Sequence, residues 1–253
     1  MTPEPREEWQ FDTRHLGRRV LVFDELDSTN ELAGRWSSPE PIAILARHQT
    51  AGRGRFGRVW RSQPDAALLI SVILRPPVEL RRPVVLTAWA AVAVAEAAGE
   101  LAGLNPVIKW PNDLLVGGQK ICGILIEQSA ATVVGIGLNL NQSRTEFEAA
   151  GLPLAASLGS LSGSHFDLRA AAETLLRHLD HEYDHLLTNR SQVEAKWRDR
   201  TGLLGRKVEV ERSDGTRLAG WLHSLGFDGL ELERDGGDRV QLIPERVEHV
   251  RSL

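Results

Sequence analysis

The sequence holds a single cysteine, Cys122, so no disulfide can form within the chain and a cytoplasmic setting is expected. Lysine is scarce as well. It stands only at Lys109, Lys120, Lys196 and Lys207, and arginine carries the rest of the positive charge. That charge is not in surplus: the formal net charge is −4 and the pI about 6.1. General affinity for nucleic acid needs many unopposed cations, so no DNA binding is expected. No apolar run approaches the roughly 20 residues of a membrane span, and no membrane partner is expected. The opening Met1-Thr2-Pro3-Glu4-Pro5-Arg6-Glu7-Glu8 is too polar and acidic for a signal peptide. What is present suits a soluble protein: 253 residues, 42% hydrophobic and 25% charged, enough for one full core and a small second domain.

The densest chemistry lies in residues 107–127. A short strand, Val107-Ile108-Lys109, breaks at Trp110-Pro111 and gives way to Asn112 and Asp113; a second, Leu114 to Val116, turns back through Gly117-Gly118. That dipeptide suits hairpin turns needing positive φ. The returning strand carries Lys120, Cys122 and Gly123. Two of the few lysines, an aspartate and an asparagine thus reach one end of a small antiparallel unit, beside a glycine that lets a flat ligand approach the backbone. A compact ammonium can contact phosphate and carboxylate in turn, which the rigid guanidinium fork does less readily. The unit could hold an anion with a metal beside it. Cys122, in an apolar strand position, reads as packing.

Taken in order, residues 1–19 read as a loose arm anchored by Trp9 or Phe11, and Val20–Phe23 as a strand. Ser28-x-x-Glu31 has the form of a helix capping box, which leaves Thr29 and Asn30 free to meet a small polar ligand. Ile42–Ala46 is a strand leading into Gln49-Thr50-Ala51-Gly52-Arg53-Gly54-Arg55-Phe56-Gly57-Arg58-Val59-Trp60, a cationic, glycine-rich loop. Its backbone N–H groups and guanidinium forks could fold around phosphate or carboxylate. It lacks the spacing of a P-loop and no Rossmann helix follows it. Trp60 suits either the core or a cover over a ligand. Ala66–Leu74 is a buried strand, and Pro83 opens a helix that ends near Gly103. Ser129-Ala130-Ala131 turns the chain into Thr132–Asn141, where Gly135 and Gly137 alternate and bare one face of a strand ahead of Asn139. Residues 142–166 read as loop, Leu168–Leu187 as an amphipathic helix, and Ser191 as the cap of a short helix bearing Trp197. The long helix carries His178, His181 and His185, for which a solvated face is expected rather than a metal site. From Gly205 onward short strands and tight turns suggest a small SH3-like barrel.

The ordered set Ser28-Thr29-Asn30, Gln49-x-x-Gly52-Arg53-Gly54-Arg55, Lys109-Trp110-Pro111-Asn112-Asp113 with Lys120 and Gly123, then Gly135-x-Gly137-x-Asn139, followed by the barrel, resembles biotin protein ligase over about residues 20–250. The resemblance implies an α+β fold: a mixed, largely antiparallel sheet flanked by helices, of the class II synthetase-like type, plus the C-terminal SH3-like barrel. It implies an arm at 1–19, a catalytic domain at 20–202 and the small domain at 203–253. It further implies a ligase that consumes biotin and ATP with Mg2+, makes biotinyl-5′-AMP, and passes biotin to a lysine of a biotin carboxyl carrier protein or another biotin-dependent carboxylase domain.

By the same resemblance, Ser28, Thr29, Asn30, Gln49, Gly52, Arg53, Gly54, Arg55, Lys120, Gly123 and Gly135 match biotin-binding positions. Arg55, Trp60, Asn112, Lys120 and Asn139 match ATP-binding ones. Lys120, Asp113 and Arg55 match catalytic positions, with Asp113 also nearest a Mg2+ held mostly by phosphate and water. Hydroxyls and amides suit a ureido ring whose N–H and C=O would otherwise be buried unpaired. Two features depart from the family pattern. Too few residues precede Val20 for the winged helix-turn-helix of repressor members, so a ligase without repressor function is expected. Phe56 stands where a polar or basic loop residue is common. A homodimer is compatible with the resemblance. The alternative readings are a lipoate–protein ligase, which shares fold and adenylation chemistry, and a non-catalytic biotin or adenylate sensor.

Overall fold

The computed structural model describes residues 3–36, 40–129 and 131–253. Its larger sheet has eight strands: β1 (Glu7–Gln10), β2 (Arg19–Leu26), β3 (Ile42–Gln49), β4 (Ala67–Leu74), β5 (Val107–Lys109), β6 (Asp113–Val116), β7 (Gln119–Gln128) and β8 (Thr132–Asn139). Their spatial order is β1-β2-β3-β4-β8-β7-β6-β5. Among the described strands of this sheet β2 and β3 pair in parallel and the other neighbours antiparallel, the mixed arrangement expected.

Side-chain alternation gives the sheet two unlike faces. Val20 and Val22, Ala43 and Leu45, Ile70 and Val72, and Val134, Ile136 and Leu138 join one large core. Two helices cover that face, α2 (Pro83–Ala102) and α5 (Leu168–Thr188), with Trp89 fully buried between them and its indole N–H donating to Leu179 O at 3.1 Å. Pro83 at the start of α2 and Gly103, at φ +66° just past its end, are the start and stop signals read in the sequence. On the opposite face α1 (Thr29–Gly34) covers a small apolar cluster of Leu21, Phe23, Ile44 and Ile73. Beside it, over β7 and β8, that face opens into the site.

Several expectations change. The arm is not loose: Glu7–Gln10 pairs with β2, and both Trp9 and Phe11 are buried. Met1, Thr2 and Ala130, in the expected 129–131 turn, lie outside the described residues. Ser28 precedes α1, yet its side chain makes no capping hydrogen bond and Glu31 pairs with Arg35, so the capping box does not form. The 142–166 stretch holds two short helices, α3 (Arg144–Ala149) and α4 (Leu158–Ser162), each opened by a formed capping box, at Ser143 and at Ser157. The helix bearing Trp197, α6 (Arg190–Thr201), starts one residue before Ser191, with Asn189 as its cap residue. By length and composition α2 does meet the criterion for a membrane span, contrary to the sequence expectation, but most of it is buried in the core. The histidine-bearing face of α5 is not wholly solvated, since Glu182 between His181 and His185 is buried.

The second sheet is antiparallel: β9 (Lys207–Arg212), β10 (Arg217–Leu225), β11 (Leu230–Glu233), β12 (Arg239–Leu242) and β13 (Val247–Ser252), in the order β12-β11-β10-β9-β13. β13, which follows a tight turn opened by Pro244, lies beyond the strands expected. Aromatic rings fasten this sheet to the first unit. Trp197 lies 5.6 Å from Trp110 and 5.5 Å from Phe227, centroid to centroid, and Trp110 Nε1 donates to Val247 O at 3.3 Å. The sheet's last strand thereby reaches the mouth of the site.

Candidate active site

Glycine creates the floor. The face of β7 and β8 opposite the large core carries Gly123, Gly135 and Gly137. A Cβ at Gly135 would stand 2.1 Å from Asn30 Oδ1, and one at Gly137 2.6 Å from the Trp60 ring. At Gly123 it would meet Trp60 at 3.0 Å and Lys120 Nζ at 3.2 Å. The bare strand face read in the sequence is thus a surface on which other side chains lie flat. The cavity above it measures about 340 Å³.

At one end of the cavity α1 supplies a polar wall. Gln49 Oε1 accepts from Thr29 N at 2.7 Å and from Thr29 Oγ1 at 3.1 Å, so a side chain from β3 takes up the first free N–H of α1. Asn30 Nδ2 donates to Glu127 Oε2 at 2.8 Å and to Leu125 O at 3.3 Å. Ser71 Oγ sits 2.6 Å from Asn30 Oδ1 and 2.7 Å from Thr29 Oγ1, and its one proton serves either acceptor. Ser28, Thr29 and Asn30 are buried, so this is a preorganised set of donors and acceptors rather than a solvated helix end.

At the other end Lys120 Nζ lies 2.8 Å from Asp113 Oδ1. The backbone holds the lysine in place: Lys120 N donates to Leu154 O at 2.7 Å, and Ala156 N donates to Lys120 O at 2.9 Å. The Gly117-Gly118 turn, with φ of +55° and +80°, returns β7 against β6 so that ammonium and carboxylate meet. Asn112 Nδ2 donates to Ile124 O at 3.0 Å. Asn139 is buried, and its amide serves Ala156 O at 2.9 Å and Lys120 O at 3.4 Å while its Oδ1 accepts from Gln142 at 3.2 Å. Burial raises the Cys122 thiol far above its ordinary value, so that side chain is packing.

The glycine-rich loop forms the roof as a small hairpin. Gly54 N donates to Arg58 O at 2.7 Å, Trp60 N donates to Gly52 O at 2.9 Å, and Arg53 bridges to Val59. Gly52 is required there, because a Cβ would stand 2.6 Å from Trp60 O. At the tip Phe56 takes φ +57° and meets His249 of β13, ring centroids 6.4 Å apart. Burial lowers the Arg55 guanidinium, an effect opposed by the carboxylates of Glu248 and Asp113. His249 is held below its ordinary value by burial and then by Arg251. The Trp60 indole lies across Gly123 and Gly137, with Lys120 Nζ 5.6 Å from its ring, and its Nε1 is buried without a protein partner.

Ser28, Thr29, Asn30, Gln49, Arg53, Gly54, Arg55, Trp60, Asn112, Asp113, Lys120, Gly123, Gly135 and Asn139 all line this cavity. Gly52 lies on the wider cleft behind the loop. Sequence reasoning missed Ser71 and Glu127. Ser71 was visible as the lone hydroxyl in the apolar run of β4, on the same side as Leu69 and Ile73. Glu127 receives both Asn30 and, at 3.0 Å, Arg53 Nη2, so it ties the polar wall to the loop. The Arg53 pair is half exposed and contributes little by itself, but the bond to buried Asn30 is charge-assisted. Replacing Glu127 with alanine is expected to raise the KM for the wall's ligand roughly tenfold, about 1.4 kcal/mol, with the nucleotide KM nearly unchanged; steady-state titration of each substrate checks this.

An ammonium beside a carboxylate, a glycine floor, a polar cradle and a cationic roof can bring two anions together and hold a flat polar ring next to them. The chain is similar to known proteins. Residues 22–141 match the family model of the biotin/lipoate A/B protein ligase family. The bifunctional ligase/repressor BirA of Bacillus subtilis is 34% identical over 227 residues, which is 85% of this chain and 69% of that protein. The biotin–[acetyl-CoA-carboxylase] ligase of Mycobacterium tuberculosis is 33% identical over 246 residues, 92% of this chain and 90% of that one. The biotin protein ligase of Aquifex aeolicus, solved in complex with biotin and ATP, superposes with a TM-score of 0.77 at 26% identity, covering 92% of this chain and 99% of that structure. The chain belongs to the biotin protein ligase family.

Proposed function

We propose that the chain joins the carboxylate of biotin to the α-phosphate of ATP, releasing pyrophosphate, and then passes the biotinyl group to the ε-amine of a carrier-protein lysine, releasing AMP. Its relatives are biotin ligases, and one structural neighbour holds biotin with ATP. The observation that carries the assignment of residues is the single cavity with an amide-and-hydroxyl cradle at one end and the Lys120–Asp113 pair at the other.

Ser28, Thr29, Asn30 and Gln49, with Arg53 beside them, complement the ureido ring; Gly135 leaves the room that Asn30 of the cradle occupies, and Gly123 lets the bicycle reach the strand backbone when Trp60 lifts from it. Lys120 then stands where biotin's carboxylate and the α-phosphate meet. Its ammonium offsets their mutual repulsion and the added charge of the pentacoordinate phosphorus. Once Lys120 turns to the phosphate, Asp113 is released to orient the incoming amine or take its proton. Asn112, Trp60 and Asn139 border the nucleotide, and Gly52, Gly54 and Arg55 let the roof close over the adenylate. Asp113 is the one carboxylate among the described cavity-lining residues. That suits Mg2+, which keeps most of its water and takes phosphate oxygens with one or two carboxylates. The ion would supply charge neutralisation of the triphosphate. The net charge of −4 supports a ligase without DNA binding, and the single cysteine a cytoplasmic one.

Incubation with biotin, MgATP and a carrier domain of a biotin-dependent carboxylase, followed by mass spectrometry of the carrier, is expected to show one added biotinyl group. Incorporation of lipoate alone would defeat this reading. Arg55→Gly is expected to release the adenylate on the order of 10–100-fold faster, from loss of one charged hydrogen-bond donor. Its signature is biotin on bystander proteins by streptavidin blot.

A further inference from the structure

On the far side of the fold, His181-Glu182-Tyr183-Asp184-His185 of α5 stands in H-E-x-x-H register, a spacing the expectation of a solvated face passed over. Residues four apart on a helix share a face, and the two imidazoles meet with centroids 4.3 Å apart. One ring nitrogen of each and a carboxylate oxygen of Glu182 lie within 4.8 Å of one another.

The burial is unusual. Glu182 is 1% exposed. Lys196 of α6 donates to its Oε1 at 2.7 Å, but Oε2 is buried with no hydrogen-bond partner. His185 Nδ1, 3.6 Å from Glu182 Oε1, is likewise buried and unpartnered. Two orphaned polar atoms on neighbouring buried groups are costly, the more so when one belongs to a carboxylate, and such atoms commonly mark a water or an ion. His178, one turn earlier, is different: it is paired with Glu100 at 2.8 Å.

We propose that His181, Glu182 and His185 form a site for a divalent transition ion of the Zn2+ or Co2+ kind. Two imidazole nitrogens and one carboxylate oxygen suit such ions, whereas Mg2+ and Ca2+ favour all-oxygen shells. A tetrahedral shell with bonds of about 2.0–2.1 Å needs the three donors to draw together, a rotamer-scale change open to the exposed His181. Water takes the fourth position on that open side. Lys196 keeps Oε1 and acts as the outer hydrogen-bond partner that orients a ligating carboxylate. The ion joins α5 to α6 through Lys196 and none of its ligands lines the catalytic cavity, so its role is structural.

The test uses the full chain stripped with EDTA and titrated with Zn2+ or Co2+. One equivalent is expected to bind, with visible d–d bands of four-coordinate Co2+ that Zn2+ abolishes, and Tm is expected to rise by several degrees. His181→Ala, at an exposed position, should fold normally and lose both the bands and the Tm shift, while His178→Ala keeps them. Biotin adenylation by the stripped protein should be unchanged on adding Zn2+. Absence of stoichiometric uptake, or equal uptake by wild type and His181→Ala, would overturn the proposal.

Discussion

Replacing Lys120 with alanine is expected to slow biotinyl-5′-AMP formation by roughly 10²–10³-fold, the equivalent of 2.7–4 kcal/mol for a positioned electrostatic group at a developing charge. Two effects act in one direction. The cation that offsets the repulsion of carboxylate and phosphate is lost, and Asp113, now without its partner at 2.8 Å, presents a bare carboxylate where phosphate must sit. Arginine should not rescue the loss. Its fork is planar and longer, and the backbone bonds to Leu154 and Ala156 leave β7 no freedom to move it back. Pyrophosphate release in the first turnover measures the step. Transfer from preformed biotinyl-5′-AMP should suffer much less, and a near-normal adenylation rate would remove Lys120 from its role.

The second large effect is expected from one methyl group. Gly135→Ala places a Cβ 2.1 Å from Asn30 Oδ1. Asn30 cannot easily yield, since its carboxamide is held by Glu127, Leu125 and Ser71. Either the sheet shifts or Asn30 leaves its place, and overpacking of this kind costs about 1–3 kcal/mol. Because Asn30 belongs to the cradle, the loss should appear as a biotin KM raised roughly 10–100-fold, with ATP binding nearly intact. A biotin titration by calorimetry separates this from general instability, which would lower Tm and weaken both ligands.

Much of this architecture was legible in the chain because local signals and tertiary demands coincide there. Pro83 and Gly103 bracket α2, Gly117-Gly118 turns the hairpin, and alternating glycines announce the bare face of β8. Other features depend on partners distant in sequence. Glu7–Gln10 is polar at three of four positions and becomes a strand only because β2 offers an edge. Ser28-x-x-Glu31 has the spacing of a cap, but Gln49 reaches the helix end first. Ser71 and Glu127 carry no motif of their own; their meaning comes from β4 and β7 converging on Asn30. The contact between Phe56 and His249 joins residues nearly two hundred positions apart, which no local pattern reports.

Crystals of the chain grown with biotin test the central claim most directly. The account predicts the bicycle against the backbone at Gly123, with Trp60 lifted from it, and next to Gly135, its ureido group within hydrogen-bond distance of the Thr29–Asn30–Gln49 cradle and its carboxylate beside Lys120 Nζ. Biotin bound elsewhere, or lying in this cavity with its carboxylate turned toward Asn30, would contradict it.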